Sequence, residues 1–77
     1  MASIGETLRA ARERRGLTIA EASRLTRIAP RFLEALENDD LEALPAPVYA
    51  RGFLRSYAAA LGLDPDPLVE QLRAELA

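Results

Sequence analysis

Ser3-Ile-Gly-Glu6 and Thr18-Ile-Ala-Glu21 repeat one pattern, a hydroxyl residue followed three positions later by Glu. That spacing is a capping box: the hydroxyl accepts from an orphan amide in the first turn of a helix, and the Glu reaches back to the amide of the hydroxyl residue. Two such starts, with Gly16 between them as a left-handed stop, hold the first helix to a few turns. Ile4, Leu8 and Ala11 repeat at helical spacing behind the first box. The second box opens a helix to about Thr26, with Ala22 and Leu25 expected inward.

The same punctuation continues to the end of the chain. Pro30 suits the first position of a third helix, which carries Phe32, Leu33 and Leu36 and closes in Asn38-Asp39-Asp40. Leu41 and Leu44 anchor a short connection stiffened by Pro45 and Pro47. Pro47 then starts a fourth helix reaching Leu61 and stopping at Gly62. Asp64 and Pro65 open a fifth with Leu68, Leu72 and Leu76. No strand alternation occurs. Residues 1–77 therefore read as one domain, an all-α, compact five-helix bundle.

A bundle this short has a thin core. The chain has no Cys and no His, so neither a disulfide nor an ordinary zinc site can reinforce it. The same absence removes the base and nucleophile of Ser/His/Asp or Cys/His catalysis. Asp39-Asp40 reads as a solvated acidic turn rather than a metal or acid–base site. An enzyme, a cofactor and a small-molecule substrate are not expected. No run is long and apolar enough to cross a bilayer.

The formal charge is −2, but it is unevenly spread. Residues 1–31 hold seven Arg against Glu6, Glu13 and Glu21, a local +4. Residues 32–50 hold five acids and no base, a local −5. Arg9, Arg12, Arg14 and Arg15 read as a solvated helix face.

Helices two and three, joined by Thr26-Arg27-Ile28-Ala29, have the size and joint of a helix-turn-helix. Leu17-Thr18, Glu21, Ile28 and Leu36-Glu37-Asn38 resemble the framework of the Xre/phage-repressor family. In that family the starts of these helices read bases and clamp phosphate. Here those positions are Ile19, Ala29, Pro30 and Phe32, none able to make bidentate hydrogen bonds to a base pair. Arg31, Arg27 and Arg15 are the candidate DNA contacts of a regulator reading with helix three. Glu34, Glu37 and the Asp pair would repel phosphates, so DNA is the disfavoured partner.

Tyr49, Phe53 and Tyr57 stand four apart on helix four. On a wheel, Ala50, Leu54, Tyr57 and Leu61 share the core direction, Tyr49 and Phe53 lie to one side, and Arg51 and Arg55 to the other. Helix five, through Leu68 and Leu72, could cover the added width. Marginal aromatics beside Arg are also the residue types that anchor protein contacts. The candidate docking set is Tyr49, Phe53, Arg51, Arg55 and Tyr57, with Tyr57 closest to the core.

The run LPAPVYARGFLRSYAAALGLDPDPL, following the Xre-like segment, resembles the cytoplasmic domain of the RodZ family of bacterial cell-shape proteins, from residue 4 to about 75. The resemblance implies a cytoskeletal adaptor that docks on the bacterial actin MreB through helix-four aromatics, matched here by Tyr49 and Phe53. It also implies that residues 1–77 are the N-terminal cytoplasmic part of a longer protein. A membrane span outside these residues would hold that protein at the inner face of the cell membrane.

Overall fold

The computed structural model describes residues 2–45 and 47–76. Five α-helices follow one another: α1 (Ile4–Arg14), α2 (Ile19–Thr26), α3 (Pro30–Glu37), α4 (Pro47–Ala60) and α5 (Pro65–Leu76), with a 3-10 turn at Leu41–Ala43. Both capping boxes form. The Glu6 and Glu21 amides donate to Ser3 Oγ at 3.0 Å and Thr18 Oγ1 at 3.1 Å. The carboxylates of Glu6 and Glu21 accept from the Ser3 and Thr18 amides, each at 2.9 Å. Gly16 and Gly62 take positive φ, 67° and 77°, as the stops after α1 and α4 require. Asp64 caps α5 by accepting from the Asp66 amide at 3.1 Å.

The α2–α3 joint is a tight turn tied by side chains. Arg27 takes the left-handed conformation, Ser23 Oγ donates to the Ile28 carbonyl at 2.6 Å, and the Ile28 amide donates to Thr26 Oγ1 at 3.2 Å. These bonds satisfy the backbone groups that a helix end leaves open.

Leu8, Leu33, Leu36, Leu54 and Tyr57 are the largest fully buried side chains. Every helix supplies the core, with Ile4, Ala22, Leu61, Leu68, Val69 and Leu72 closing around that centre. Leu25 corrects the sequence reading: it is 62% exposed. The inward face of α2 is Ile19, Ala22, Ser23 and Thr26, at the i, i+3, i+4, i+7 spacing. Leu25 stands one residue, about 100°, off that stripe.

Charged side chains are also part of the interior. Glu37, at the end of α3, is buried, and Arg12 Nε reaches its Oε2 at 2.7 Å. Arg9 Nε approaches its Oε1 at 3.3 Å, and the Tyr57 hydroxyl donates to Oε2. Asp39 binds α1, accepting from the Gly5 amide at 2.8 Å and the Ser3 hydroxyl at 2.7 Å. Arg9, Arg14, Arg15, Asp39 and Asp40 are exposed, in keeping with a solvated Arg face and acidic turn, and the correction is confined to Arg12, which is drawn partly inward. Arg9 and Arg12 join α1 to the end of α3, because an acid buried at that helix end needs cations from its neighbour, and Asp39 adds its own bonds to the start of α1.

Candidate partner-docking site

Four residues advance a helix by about 400°, so each aromatic on α4 is turned about 40° from the one before. Burial follows that drift. Tyr49 is 53% exposed, Phe53 is half-buried and Tyr57 is fully buried. The apparent ridge is a ramp that climbs out of the core.

Tyr57 is therefore corrected as a docking residue. Its ring fills the centre of the bundle and its hydroxyl is bound to Glu37. Burial and that carboxylate both push its pKa well above the ordinary tyrosine value.

The outer two rings are completed by one from another helix. Phe32, in the first turn of α3, stacks on Phe53 with centroids 5.6 Å apart and planes 18° apart. Tyr49 stacks on the same ring at 5.9 Å and 20°. The Arg31 guanidinium carbon lies 4.7 Å from the centre of the Phe32 ring. Arg31, Phe32, Phe53 and Tyr49 so form one ledge across α3 and α4. Each stacked pair adds about 0.5–1.5 kcal/mol beyond simple burial, which preorganises the rings.

Phe32 is the member the sequence reading missed. It was recognised as a position unable to read bases, and that was the available signal. Nothing local placed its ring against Phe53, because the contact depends on how α3 and α4 pack.

Arg51 and Arg55 do not share the ledge. They lie on the opposite flank of α4, lining a cleft against α5 with Val48, Gly52, Val69, Leu72, Arg73 and Leu76. Arg55 Nη1 is 3.0 Å from Asp66 Oδ1, both side chains being exposed. Helix α5 runs beside the arginine flank without covering it, and Phe32 of α3 packs on the aromatic one, so the docking set read from the wheel divides into two faces.

The candidate DNA contacts divide as well. Arg31 and Arg27 are exposed, at the start of α3 and in the turn before it. Arg15 Nε donates to the Leu61 carbonyl at 2.9 Å, placing a cation at the C-terminal end of α4, where the helix dipole favours it. On the acidic side, Glu37 faces inward, leaving Glu34 as the exposed acid within α3. The repulsion expected of the third helix is accordingly smaller than its sequence implied.

A short two-helix joint carried in a five-helix bundle defines a class, the helix-turn-helix module. The chain belongs to that family: residues 7–68 match the model described as Helix-turn-helix domain. Its resemblance to RodZ is borne out, with 48% identity over 62 residues to the cytoskeleton protein RodZ of Streptococcus pneumoniae, covering 80% of this chain and 22% of that protein. It is 33% identical over 60 residues to the uncharacterized membrane protein YmfM of Bacillus subtilis, covering 78% of this chain and 21% of YmfM. Among solved structures, YmfM from Staphylococcus aureus, described as a proposed DNA-binding membrane protein, matches with a TM-score of 0.90 at 34% identity. That match covers 96% of this chain and 90% of the other. The chain spans about a fifth of the length of the two curated relatives.

Proposed function

We propose that this domain is a binding module rather than a catalyst, and that it docks on an MreB-like actin filament through the ledge of Tyr49, Phe53 and Phe32. The observation that carries the reading is the half-exposed Tyr49 ring, held in place by stacking on Phe53. A rigid aromatic with one open face loses little freedom on binding and presents a large area to desolvate. The likeness to a protein named for the cytoskeleton supports a role in cell shape. Two relatives described as membrane proteins support placing the domain at the inner face of the membrane, as the N-terminal part of a longer chain. Among the described residues no helix is long and apolar enough to cross a membrane, so that attachment would come from elsewhere in the protein.

Co-sedimentation with purified MreB filaments tests the reading. Tyr49→Ala and Phe53→Ala should each weaken binding by about 5- to 150-fold, a loss of about 1–3 kcal/mol per ring. Circular dichroism must show both variants helical. A folded double variant that pellets like the wild type refutes the docking surface.

A second reading, DNA recognition by α3, is favoured by the description of the Staphylococcus aureus structure and by the exposure of Arg31 and Arg27. Against it, Arg31 lies over Phe32, and Ala29, Pro30 and Phe32 offer no base-reading groups. A low-salt mobility shift with random duplex separates the two. Affinity on the order of micromolar that Arg31→Ala abolishes would favour DNA.

A further inference from the structure

On the side of α4 away from the aromatic ledge, the cleft between α4 and α5 has a volume of about 220 Å³. Small-molecule sites usually enclose roughly 300–1,000 Å³, so this space suits one or two anchoring side chains better than a cofactor. Its walls are apolar, and two of the large hydrophobic residues left most exposed by the fold stand at it: Val48, 78% exposed, and Leu76, 52% exposed. Val69 and Leu72 are buried residues whose edges complete the lining.

The lining includes Gly52, an exposed residue in the interior of α4. Glycine in a helix interior costs about 0.5–1 kcal/mol relative to alanine. Nothing in the fold calls for it here: a Cβ would meet no atom within 4 Å, and its φ lies outside the left-handed region. The missing side chain leaves that stretch of the lining open.

The rim is basic. Arg51, Arg55 and Arg73 all line the opening. Arg55 is paired with Asp66 at 3.0 Å and Arg73 with Glu70 at 3.7 Å, and all four side chains are at least half exposed. Such exposed pairs hold weakly and exchange readily for a partner's carboxylates. Arg51 has no ion pair among the described residues.

We infer that the α4–α5 cleft is a second docking site, which takes a short amphipathic helix with aliphatic anchors and an acidic flank. Aliphatic side chains at i and i+3 would enter between Val48, Gly52 and Leu76, while carboxylates met the three arginines. The site is independent of the aromatic ledge, so the domain could hold two partners at once.

Fluorescence anisotropy with a labelled helical peptide, Leu at i and i+3 and Glu beside them, tests the inference on the whole chain. Binding should fall by about 10-fold with Gly52→Leu, which fills the cleft while replacing a poor helix former. A similar loss is expected from Arg51→Glu and Arg73→Glu, and from added salt. Tyr49→Ala should leave peptide binding unchanged, which separates this site from the filament surface. Thermal unfolding of Gly52→Leu at or above the wild-type midpoint shows that a loss of binding is not a loss of fold. Four results would overturn the inference: no binding at peptide concentrations of about 1 mM, or affinity unaltered by Gly52→Leu. The others are capture by phosphatidylglycerol vesicles without capture of the peptide, and a dimer in light scattering that Gly52→Leu dissolves.

Discussion

The Tyr57 hydroxyl, on α4, donates a hydrogen bond to the carboxylate of Glu37 at the end of α3, and both side chains are shut away from water. Arg12 from α1 closes on the same carboxylate through Nε at 2.7 Å and Nη2 at 3.0 Å. Three helices thus meet at one buried charge, and no buried side-chain polar atom among the described residues lacks a partner. A buried ion is tolerable only on those terms: removing one member leaves another desolvated and uncompensated. The network ties the joint of α1 and α3 to the helix that carries the aromatic ledge.

Acid should loosen this bundle through Glu37. Burial alone pushes the carboxyl up, but hydrogen bonds from Arg12 and Tyr57 outweigh it and hold the group below its ordinary value of 4.5. The unfolded chain restores the ordinary value, so it takes up the proton first as pH falls. The stability contributed by Glu37 is therefore complete above about pH 5 and is lost as pH drops through the folded pKa. Glu6 and Glu21, lowered by hydrogen bonds from the Ser3 and Thr18 backbones, act in the same direction. Urea unfolding at a series of pH values should show stability declining below about pH 5, with a shallower decline in Glu37→Gln. An unchanged slope in that variant would show that Glu37 does not govern the acid limb.

Gly5 and Gly52 should respond to alanine in opposite directions. Gly5 is buried where α1 begins against the end of α3, and a Cβ there would overlap the Glu37 carbonyl and lie 2.9 Å from Asp39 Oδ2. Backbone has little room to yield, so Gly5→Ala should cost about 1–3 kcal/mol despite the better helix propensity of alanine. Gly52→Ala meets open space and should stabilise by about 0.5–1 kcal/mol. Chemical denaturation of the two variants decides the point, and equal effects would mean that the α1–α3 approach is looser than described.

The helix boundaries were legible because their causes are local: a capping box, a proline or a left-handed stop acts within a few residues. The burial gradient of Tyr49, Phe53 and Tyr57 was legible in outline, since a wheel encodes it. Leu25 was misplaced because α2 is too short for its stripe to be fixed by two apolar residues, when Ser23 and Thr26 supply half of the inner face. Glu37 and Phe32 lay beyond local reading. A charge is buried only when Arg12 and Tyr57 arrive from other helices, and the Phe32 ring finds its place only once α3 rests on α4. The arginines of α4 were correctly set apart from its aromatics on the wheel, but which flank α5 would run beside had no signature in the chain.

Arg27 and Asp39 share a backbone conformation and should differ in what glycine does to them. Both are left-handed, with φ of 60° and 56°, a region disfavoured for residues bearing a Cβ. Arg27 ends α2, its amide donating to the Ser23 carbonyl at 2.7 Å, a bond that survives any side-chain change. Its side chain is exposed, so Arg27→Gly should relieve the strain and stabilise by about 0.5–1 kcal/mol. Asp39 repays its strain by binding the Ser3 hydroxyl and the Gly5 amide at the start of α1. Removing that carboxylate forfeits a charge-assisted cap, and Asp39→Gly should destabilise by about 1–2 kcal/mol even though glycine fits the backbone better. Thermal unfolding of the two variants measures the contrast. A rise in midpoint for both would mean that the α1–α3 tie through Asp39 contributes less than the conformation it imposes.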